Sequence, residues 1–344
     1  MKKIGIFTLT DALNYGAFYQ MFALQQYLKE NFDDKYSITV YSPKENFKGK
    51  LIKYFSYNPK RLYRKSILRW KFIRDMGEVD IKKYNGENLD FAFFGSDEIW
   101  NIENKSFPND PNFFGIKVNA NKKVAYAPSI GFAKIESFDL YPEFLKSINS
   151  LDHIFHRDNL TKNLVQKAGR KDSLRVIDPT ILYDKWYRHI TPLKIKINQP
   201  YIAYYSYLSN PPFLKSLINY SKEKNTPIIS AGFNTHDWAD QNLVLSPWEF
   251  LSFIKNADCV FTTTFHGTIM STLLNNSVLF SASSHKVKDF SKLMELSKYE
   301  ISENTSVNDL DTLLKSFKNK SIINKKNILK LDSQKLVNKL INTH

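Results

Sequence analysis

The chain has 344 residues, 42% of them hydrophobic, with 26 Phe, 19 Tyr and a single Cys. That length exceeds what one hydrophobic core usually serves and points to two domains, while one cysteine excludes an internal disulfide framework or a multi-cysteine metal site. The net charge is +15, and thirteen Lys/Arg against four Asp/Glu between Lys44 and Lys83 put +9 of it into one segment.

Met1-Lys2-Lys3 runs directly into a first strand, Lys3 to Thr8, with no signal-like segment. No apolar run approaches the ~20 residues of a membrane span, so the expectation is a soluble, cytoplasmic protein. A loop through Asn14-Tyr15-Gly16 leads into a helix from Ala17 to about Asn31, whose face Phe18, Met21, Phe22, Leu24, Gln25, Leu28 has helical spacing. A strand follows at Tyr36 to Tyr41. The basic segment is expected to be helical from Arg61 to Arg74, and Tyr54, Phe55, Tyr57, Tyr63, Trp70 and Phe72 interleave its charge. It reads as a solvated helical face, as a surface for anionic lipid headgroups, or as a binder of single-stranded nucleic acid. No nucleic-acid motif supports the last.

Asp90 to Phe94 reads as a strand ending at Gly95-Ser96-Asp97, and Val124 to Ala127 as one ending at Pro128-Ser129-Ile130-Gly131. Leu151 to His156 is a strand followed by Arg157-Asp158-Asn159 and a helix; Arg157 and Asp158 could form a local ion pair. Arg175 to Ile177 is closed by Asp178-Pro179-Thr180, where the proline ring disfavours helix at Asp178. A mixed linker, Trp186 to Pro200, separates domain 1–187, including the basic segment 44–83, from domain 188–344. The second domain repeats the alternation: strand Tyr201 to Tyr207, helix Pro212 to Lys224, strand Pro227 to Ser230. Ser246-Pro247-Trp248-Glu249 is a capping-box helix start. Asp258 to Thr263 is a buried strand, and Thr264-Phe265-His266-Gly267 turns it into a helix. Strand Val278 to Phe280 and two further helices follow. The amphipathic tail, 322–341, is expected to dock as a helix on the N-terminal domain.

Strand–helix alternation, twice, predicts an α/β protein of two facing doubly wound (Rossmann-like) domains with ligands at the carboxyl ends of the strands. The polar residues expected at those ends are Asn14, Gly16, Ser96, Asp97, Ser129, Arg157 and His266. His266 would stand beside free helix N–H groups, which favour an anion; a histidine there can also merely cap or pack. The chain lacks GxxxxGK[ST], a GxGxxG after the first strand, HExxH and GxSxG, and no metal-ligand spacing stands out among its seven His.

Seven short blocks in order resemble the polysaccharide pyruvyl transferase family: Asn14-Tyr15-Gly16-Ala17 with Gln20; Phe94 to Asn101; Tyr126 to Gly131; Arg157-Asp158; Asp178-Pro179-Thr180; Ser246-Pro247; and Thr264-Phe265-His266-Gly267. The resemblance implies a glycosyltransferase-B-like architecture and a transferase that moves the enolpyruvyl unit of phosphoenolpyruvate onto a sugar, forming a pyruvate ketal on a capsule or exopolysaccharide precursor. It implies no cofactor beyond this donor and no metal. The acceptor would be polyprenyl-diphosphate-linked, which gives the basic segment a task at the inner face of the cell membrane; no nucleic-acid partner is expected. His266 is then the catalytic acid/base or a phosphate donor, and Asp97 a base for the sugar hydroxyl. Arg157 suits carboxylate or phosphate, and Asn14, Gly16, Ser96, Ser129, Thr264 and Gly267 line the substrate. The sequence departs from some members where they read Arg-Leu-His and this chain reads Thr264-Phe265-His266. A cation is lost there, and Lys286 is the expected replacement. Glu98 stands where the family often has Gln. The alternative is a nucleotide-sugar-dependent glycosyltransferase of the same architecture; a non-catalytic anion or nucleic-acid binder is a third.

Overall fold

The computed structural model describes residues 1–43, 59–106, 109–274, 276–317 and 319–343. Its contacts divide these into two compact units. The first comprises 1–43, 77–183 and 327–343, and the second 59–76 and 184–326.

The first unit is built on seven parallel strands: β1 (Lys2–Phe7), β2 (Tyr36–Ser42), β3 (Ile81–Lys83), β4 (Leu89–Phe94), β5 (Ala120–Tyr126), β6 (His153–His156) and β7 (Leu174–Arg175), in the order β3-β2-β1-β4-β5-β6-β7. Helices α1 (Tyr15–Phe32), α3 (Pro142–Ser150), α4 (Asn159–Lys167) and α5 (Pro179–Leu182) connect or flank them. Parallel strands need crossovers and are buried on both faces, which is why β4 reads Leu-Asp-Phe-Ala-Phe-Phe with only Asp90 half-buried. Phe94, Trp100, Phe113, Phe114 and Phe144 form one core cluster; the Phe114 and Phe144 rings stack at 3.9 Å and 4°.

The second unit carries β8 (Ile202–Tyr205), β9 (Ile228–Ala231), β10 (Gln241–Leu243), β11 (Cys259–Thr262) and β12 (Val278–Phe280), all parallel, in the order β10-β9-β8-β11-β12. Its helices are α2 (Pro59–Met76), α6 (Leu214–Lys224), α7 (Pro247–Lys255), α8 (Phe265–Leu273), α9 (His285–Leu293) and α10 (Val307–Lys315). The Ser246 capping box starts α7 as its sequence pattern predicts. In each sheet the chain steps outward, then returns to the middle and proceeds the other way. The order therefore reverses between β1 and β4 and between β8 and β11, and such switch points leave a crevice at the strands' carboxyl ends.

Two assignments differ from the sequence reading. The helical part of the basic segment groups with the second unit, not with 1–187, because α2 is fastened there. Arg64 donates through Nε to Phe233 O (3.3 Å), through Nη1 to Asn242 O (2.9 Å) and through Nη2 to Gly232 O (2.9 Å) and Leu243 O (3.4 Å). Lys71 Nζ reaches Val244 O (2.8 Å) and Glu249 (2.6 Å), and the Trp248 N–H donates to Asp75 (3.2 Å). The rest of the basic segment, 44–58, lies outside the described residues. Second, the unit boundary falls at 183/184 rather than 187/188. The tail is one helix, α11 (Asn319–Asn342), whose residues from 327 onward group with the first unit. There Ser333 Oγ accepts from Ile177 N (3.1 Å) and Asn338 Oδ1 from the Tyr27 hydroxyl (2.7 Å). Among the described residues no helix is long and apolar enough to cross a membrane.

The Arg64 fork donates to four carbonyls, one of which, Leu243 O, also accepts from Gly232 N (2.9 Å). Arg64→Ala should lower the stability of the second unit by about 2–3 kcal/mol, read as a fall in the thermal unfolding midpoint. Arg64→Lys should recover little of it, since a point charge cannot serve four divergent acceptors; full recovery by lysine would show that charge alone holds α2.

Candidate functional site

In the second unit the switch point is lined with hydroxyls. Thr262, the last residue of β11, donates to Tyr205 O at the end of β8 (2.6 Å) and accepts from Thr264 N (3.0 Å). Thr264 is the N-cap of α8: its Oγ1 accepts from Gly267 N at 3.0 Å. Ser206 and Thr263 pair through their hydroxyls (2.5 Å), and Ser283 Oγ donates to Thr263 O (3.2 Å). Gly267 is held to glycine by sterics: a Cβ there would lie 2.4 Å from Thr262 Oγ1 and 2.5 Å from Thr264 Oγ1. The capping hydroxyl thus packs against the first turn, and any larger residue at 267 would push it away.

His266 sits in that first turn, buried, its ring edge-on to Phe265 at 5.0 Å. Phe265 meets Phe290 at 5.6 Å, and Lys286 Nζ lies over the Phe265 ring at 5.6 Å. Lys286 therefore stands one aromatic ring away from the histidine, on α9. The structure gathers Thr264, His266, Gly267 and Lys286 at one sheet edge. Thr264 has a defined structural task there, capping the helix that carries the histidine. The unit's one cysteine, Cys259, is buried in β11, where burial raises its thiol pKa well above the ordinary range, so it is a packing residue.

In the first unit a second set gathers at the carboxyl ends of β4, β5 and β6. Gly95 has φ +131°, and a Cβ there would lie 2.0 Å from Tyr126 O; only glycine lets β4 and β5 close at this point. Just beyond it Asp97 has φ 69° and Ala127 φ 51°, conformations that cost non-glycine residues about 1–3 kcal/mol each and are held by their surroundings. The holding contacts are visible: Asp97 O accepts from Ser129 N (2.7 Å) and from Ile99 N (2.8 Å). Gln20, on α1, closes the other side. Its Nε2 donates to Thr8 Oγ1 (3.0 Å) and Ala17 O (2.9 Å), and its Oε1 accepts from the Ser96 N–H (3.2 Å) and hydroxyl. Asn14 caps α1, accepting from Gly16 N (2.8 Å) and Ala17 N (3.3 Å). It begins the helix that carries Gln20.

Arg157 does not pair with its neighbour Asp158. Its guanidinium lies between Asp97, at 3.1 Å, and Asp178, and all three side chains are buried. Desolvation opposes its charge, but Asp178 and Asp97, with the nearby Asp158 carboxylate, outweigh that and hold its pKa above the ordinary arginine value. Asp158 instead caps α4, accepting from Thr161 N (2.8 Å), and takes the Ser129 hydroxyl (2.8 Å). The structure thus joins Ser96, Asp97, Ser129 and Arg157 into one buried network. Asp178 and Gln20 also belong to it, although they were not singled out as site residues. Both stand in the sequence blocks quoted above, but no spacing along the chain shows that they meet residues 21 and 76 positions away.

His156 precedes Arg157. Burial, reinforced by Arg175 and Lys162, lowers its pKa from 6.5 to about 4. Its Nδ1 meets Ser173 Oγ at 3.1 Å. A neutral imidazole here adds no charge to the network.

A family model described as Polysaccharide pyruvyl transferase matches residues 14–284. No curated protein sequence matches the chain. Solved structures of UDP-N-acetylglucosamine 2-epimerases share the fold. The Rickettsia bellii protein superposes with a TM-score of 0.53 at 12% identity, over 99% of this chain and 96% of that one. The Neisseria meningitidis protein, solved bound to UDP-GlcNAc, gives 0.52 at 8% identity, over 99% and 100%. At such identities the likeness is one of fold: two doubly wound domains of the glycosyltransferase-B-like kind.

Two outcomes follow from the buried charges. Arg157→Met should cost about 3–5 kcal/mol, because it strands Asp97 and Asp178 without a counter-charge; the triple variant Arg157→Met/Asp97→Asn/Asp178→Asn should regain part of that loss in denaturant titrations. No regain would place the cost in shape rather than charge. For His156, the unfolded chain takes up a proton first as pH falls from 6.5, so this residue's contribution is complete above that value and lost on the way down to about 4. Across that window His156→Gln should lose less stability than the native chain; parallel losses would remove His156 as a cause.

Proposed function

The chain belongs to the polysaccharide pyruvyl transferase family, and we propose from that premise that it moves the enolpyruvyl unit of phosphoenolpyruvate onto a sugar of a cell-surface polysaccharide precursor, closing a pyruvate ketal. The observation that carries the reading is the α8 junction: a buried histidine in the first turn of a helix whose N-terminus opens at a sheet switch point.

The reaction sets physical requirements. Phosphoenolpyruvate brings a phosphate and a carboxylate, and both need N–H donors or cations. One sugar hydroxyl attacks C2 while C3 takes a proton; a second hydroxyl then displaces phosphate from C2, and the ketal closes. An acid must stand near C3, a base near the hydroxyl, and positive potential around the departing phosphate.

The N-terminal end of α8 supplies that potential through its first-turn N–H groups and its dipole. In this reading His266 delivers the proton or holds the phosphate. Lys286 carries the charge that arginine carries in members reading Arg-Leu-His. It approaches from α9 across the Phe265 ring, so the cation is recruited from a different helix. In the first unit, Asp97 is the base for the acceptor hydroxyl, aimed by Arg157. Asn14, Gly16, Ser96 and Ser129 form the rim against which sugar oxygens bind. The Ser96 and Ser129 hydroxyls already donate to Gln20 and Asp158, so they offer lone pairs to a sugar O–H.

A nucleotide-sugar glycosyltransferase has the fold in its favour but no residue specific to it. Incubation of the protein with phosphoenolpyruvate and the glycan precursor should add about 70 Da to the glycan, a pyruvate less one water, with one phosphate released per addition. His266→Ala should lower turnover about a thousandfold with an unchanged unfolding midpoint. Turnover that survives this substitution would remove His266 from the chemistry; no gain with phosphoenolpyruvate, together with a hexose gain when a nucleotide sugar is supplied in its place, would replace the pyruvyl reading.

A further inference from the structure

We propose that the outward face of α2 is a docking surface for an anionic lipid bilayer. The helix presents two faces of opposite character. One is fixed to the second unit: Leu68, Phe72 and Asp75 are buried, and Arg64 and Lys71 are anchored on carbonyls and on Glu249. At 100° per residue the other side gathers Leu62, Tyr63, Trp70 and Ile73, which are 43%, 68%, 60% and 58% exposed. Four large apolar or aromatic side chains on one exposed helical stripe is not how a solvated helix is composed.

The charge around the stripe identifies its partner. Residues 59–74 carry seven Lys or Arg and no acid. The helix's one carboxylate, Asp75, is buried on the anchored face, where it meets Trp248 N and Arg74. Lys60 is exposed at the first turn, and Arg61, also solvent-accessible, has its guanidinium over the Phe233 ring at 5.5 Å. At the other end the Arg74 guanidinium lies over the exposed Trp70 ring at 5.7 Å. An amphipathic helix with aromatic and aliphatic residues on one face and basic flanks suits the boundary of an anionic membrane. There the rings settle at headgroup depth and each cation meets a negative surface potential. A nucleic acid would use the charges but would have no use for Leu62 and Ile73. A second copy would bring the same basic face from a chain of net charge +15, and the two would repel. The fixed inner face matters as much as the outer one: a helix clamped at Arg64 presents its stripe without first having to fold on the membrane.

The surface extends the reading above by naming where a lipid-borne acceptor would be met, but it is tested apart from the reaction because bare vesicles carry no acceptor. The full-length protein should co-sediment with phosphatidylcholine vesicles containing about 30% phosphatidylglycerol and not with phosphatidylcholine alone. Tyr63→Ser/Trp70→Ser should weaken binding at least about tenfold, and Lys60→Gln/Arg61→Gln about fivefold per charge, both with unfolding midpoints near that of the native chain. Trp100, Trp186 and Trp248 are buried and Trp238 is half-buried against the Tyr204 ring, so the part of the blue shift of tryptophan fluorescence on anionic vesicles that comes from the α2 face is the part due to Trp70. The shift should shrink in Trp70→Phe while binding persists. Failure to bind anionic vesicles, equal binding to neutral ones, or full binding by the Tyr63→Ser/Trp70→Ser variant would each overturn the proposal. So would a dimer that dissociates in that variant, or oligonucleotide binding indifferent to it, since these assign the face to a second copy or to nucleic acid.

Discussion

A parallel sheet aims every strand's carboxyl end at one edge, and each crossover must there convert a strand into a helix without stranding a backbone group. The β11–α8 junction meets that constraint in six residues. Thr262 ties the end of β11 to Tyr205 on β8, Thr264 caps the helix on Gly267 N, and glycine at 267 leaves the two threonine hydroxyls room. His266 inherits its position from this packing. It cannot move without disturbing the cap, and the cap cannot move without disturbing the central strand pair. The first-turn N–H groups and the imidazole are therefore held in one fixed arrangement, which is what the proposed stabilisation of a departing phosphate calls for.

The first unit solves the same edge differently, with charge. Its β4 and β5 ends are held in left-handed backbone conformations at Asp97 and Ala127, and Arg157 braces them from below through Asp97 and Asp178. Its guanidinium is engaged by two buried carboxylates, so in the proposed reaction Arg157 acts by orienting Asp97. Gln20 performs the uncharged version of the same task at Ser96.

Much of this was legible in the sequence because its signals are local. Buried parallel strands announce themselves as apolar runs, the Ser246-Pro247-Trp248-Glu249 start is a chemical cap, and the alternation of strand and helix dictates the doubly wound class. What was not legible is what depends on meeting at a distance. Three-residue strands such as Ile81–Lys83 and Gln241–Leu243 sit at sheet edges, where nothing demands an apolar run. Arg157 pairs with carboxylates 60 and 21 residues away while its immediate neighbour serves as a helix cap. The basic helix α2 belongs by sequence order to the first domain. It is claimed by the second through Arg64, whose acceptors lie 168 to 179 residues further on. Its inner face looks ordinary in sequence because an arginine that clamps carbonyls and one that faces solvent are spelled alike.

In the proposed reaction the α8 N-terminus with His266 receives the phosphate of phosphoenolpyruvate. Calorimetric titration of the native chain and of His266→Ala with phosphoenolpyruvate, and separately with UDP, tests it most directly. Phosphoenolpyruvate should bind the native chain, binding should weaken at least about tenfold when the imidazole is removed, and UDP should bind neither. Binding of UDP with no response to phosphoenolpyruvate, or phosphoenolpyruvate binding untouched by His266→Ala, would contradict it.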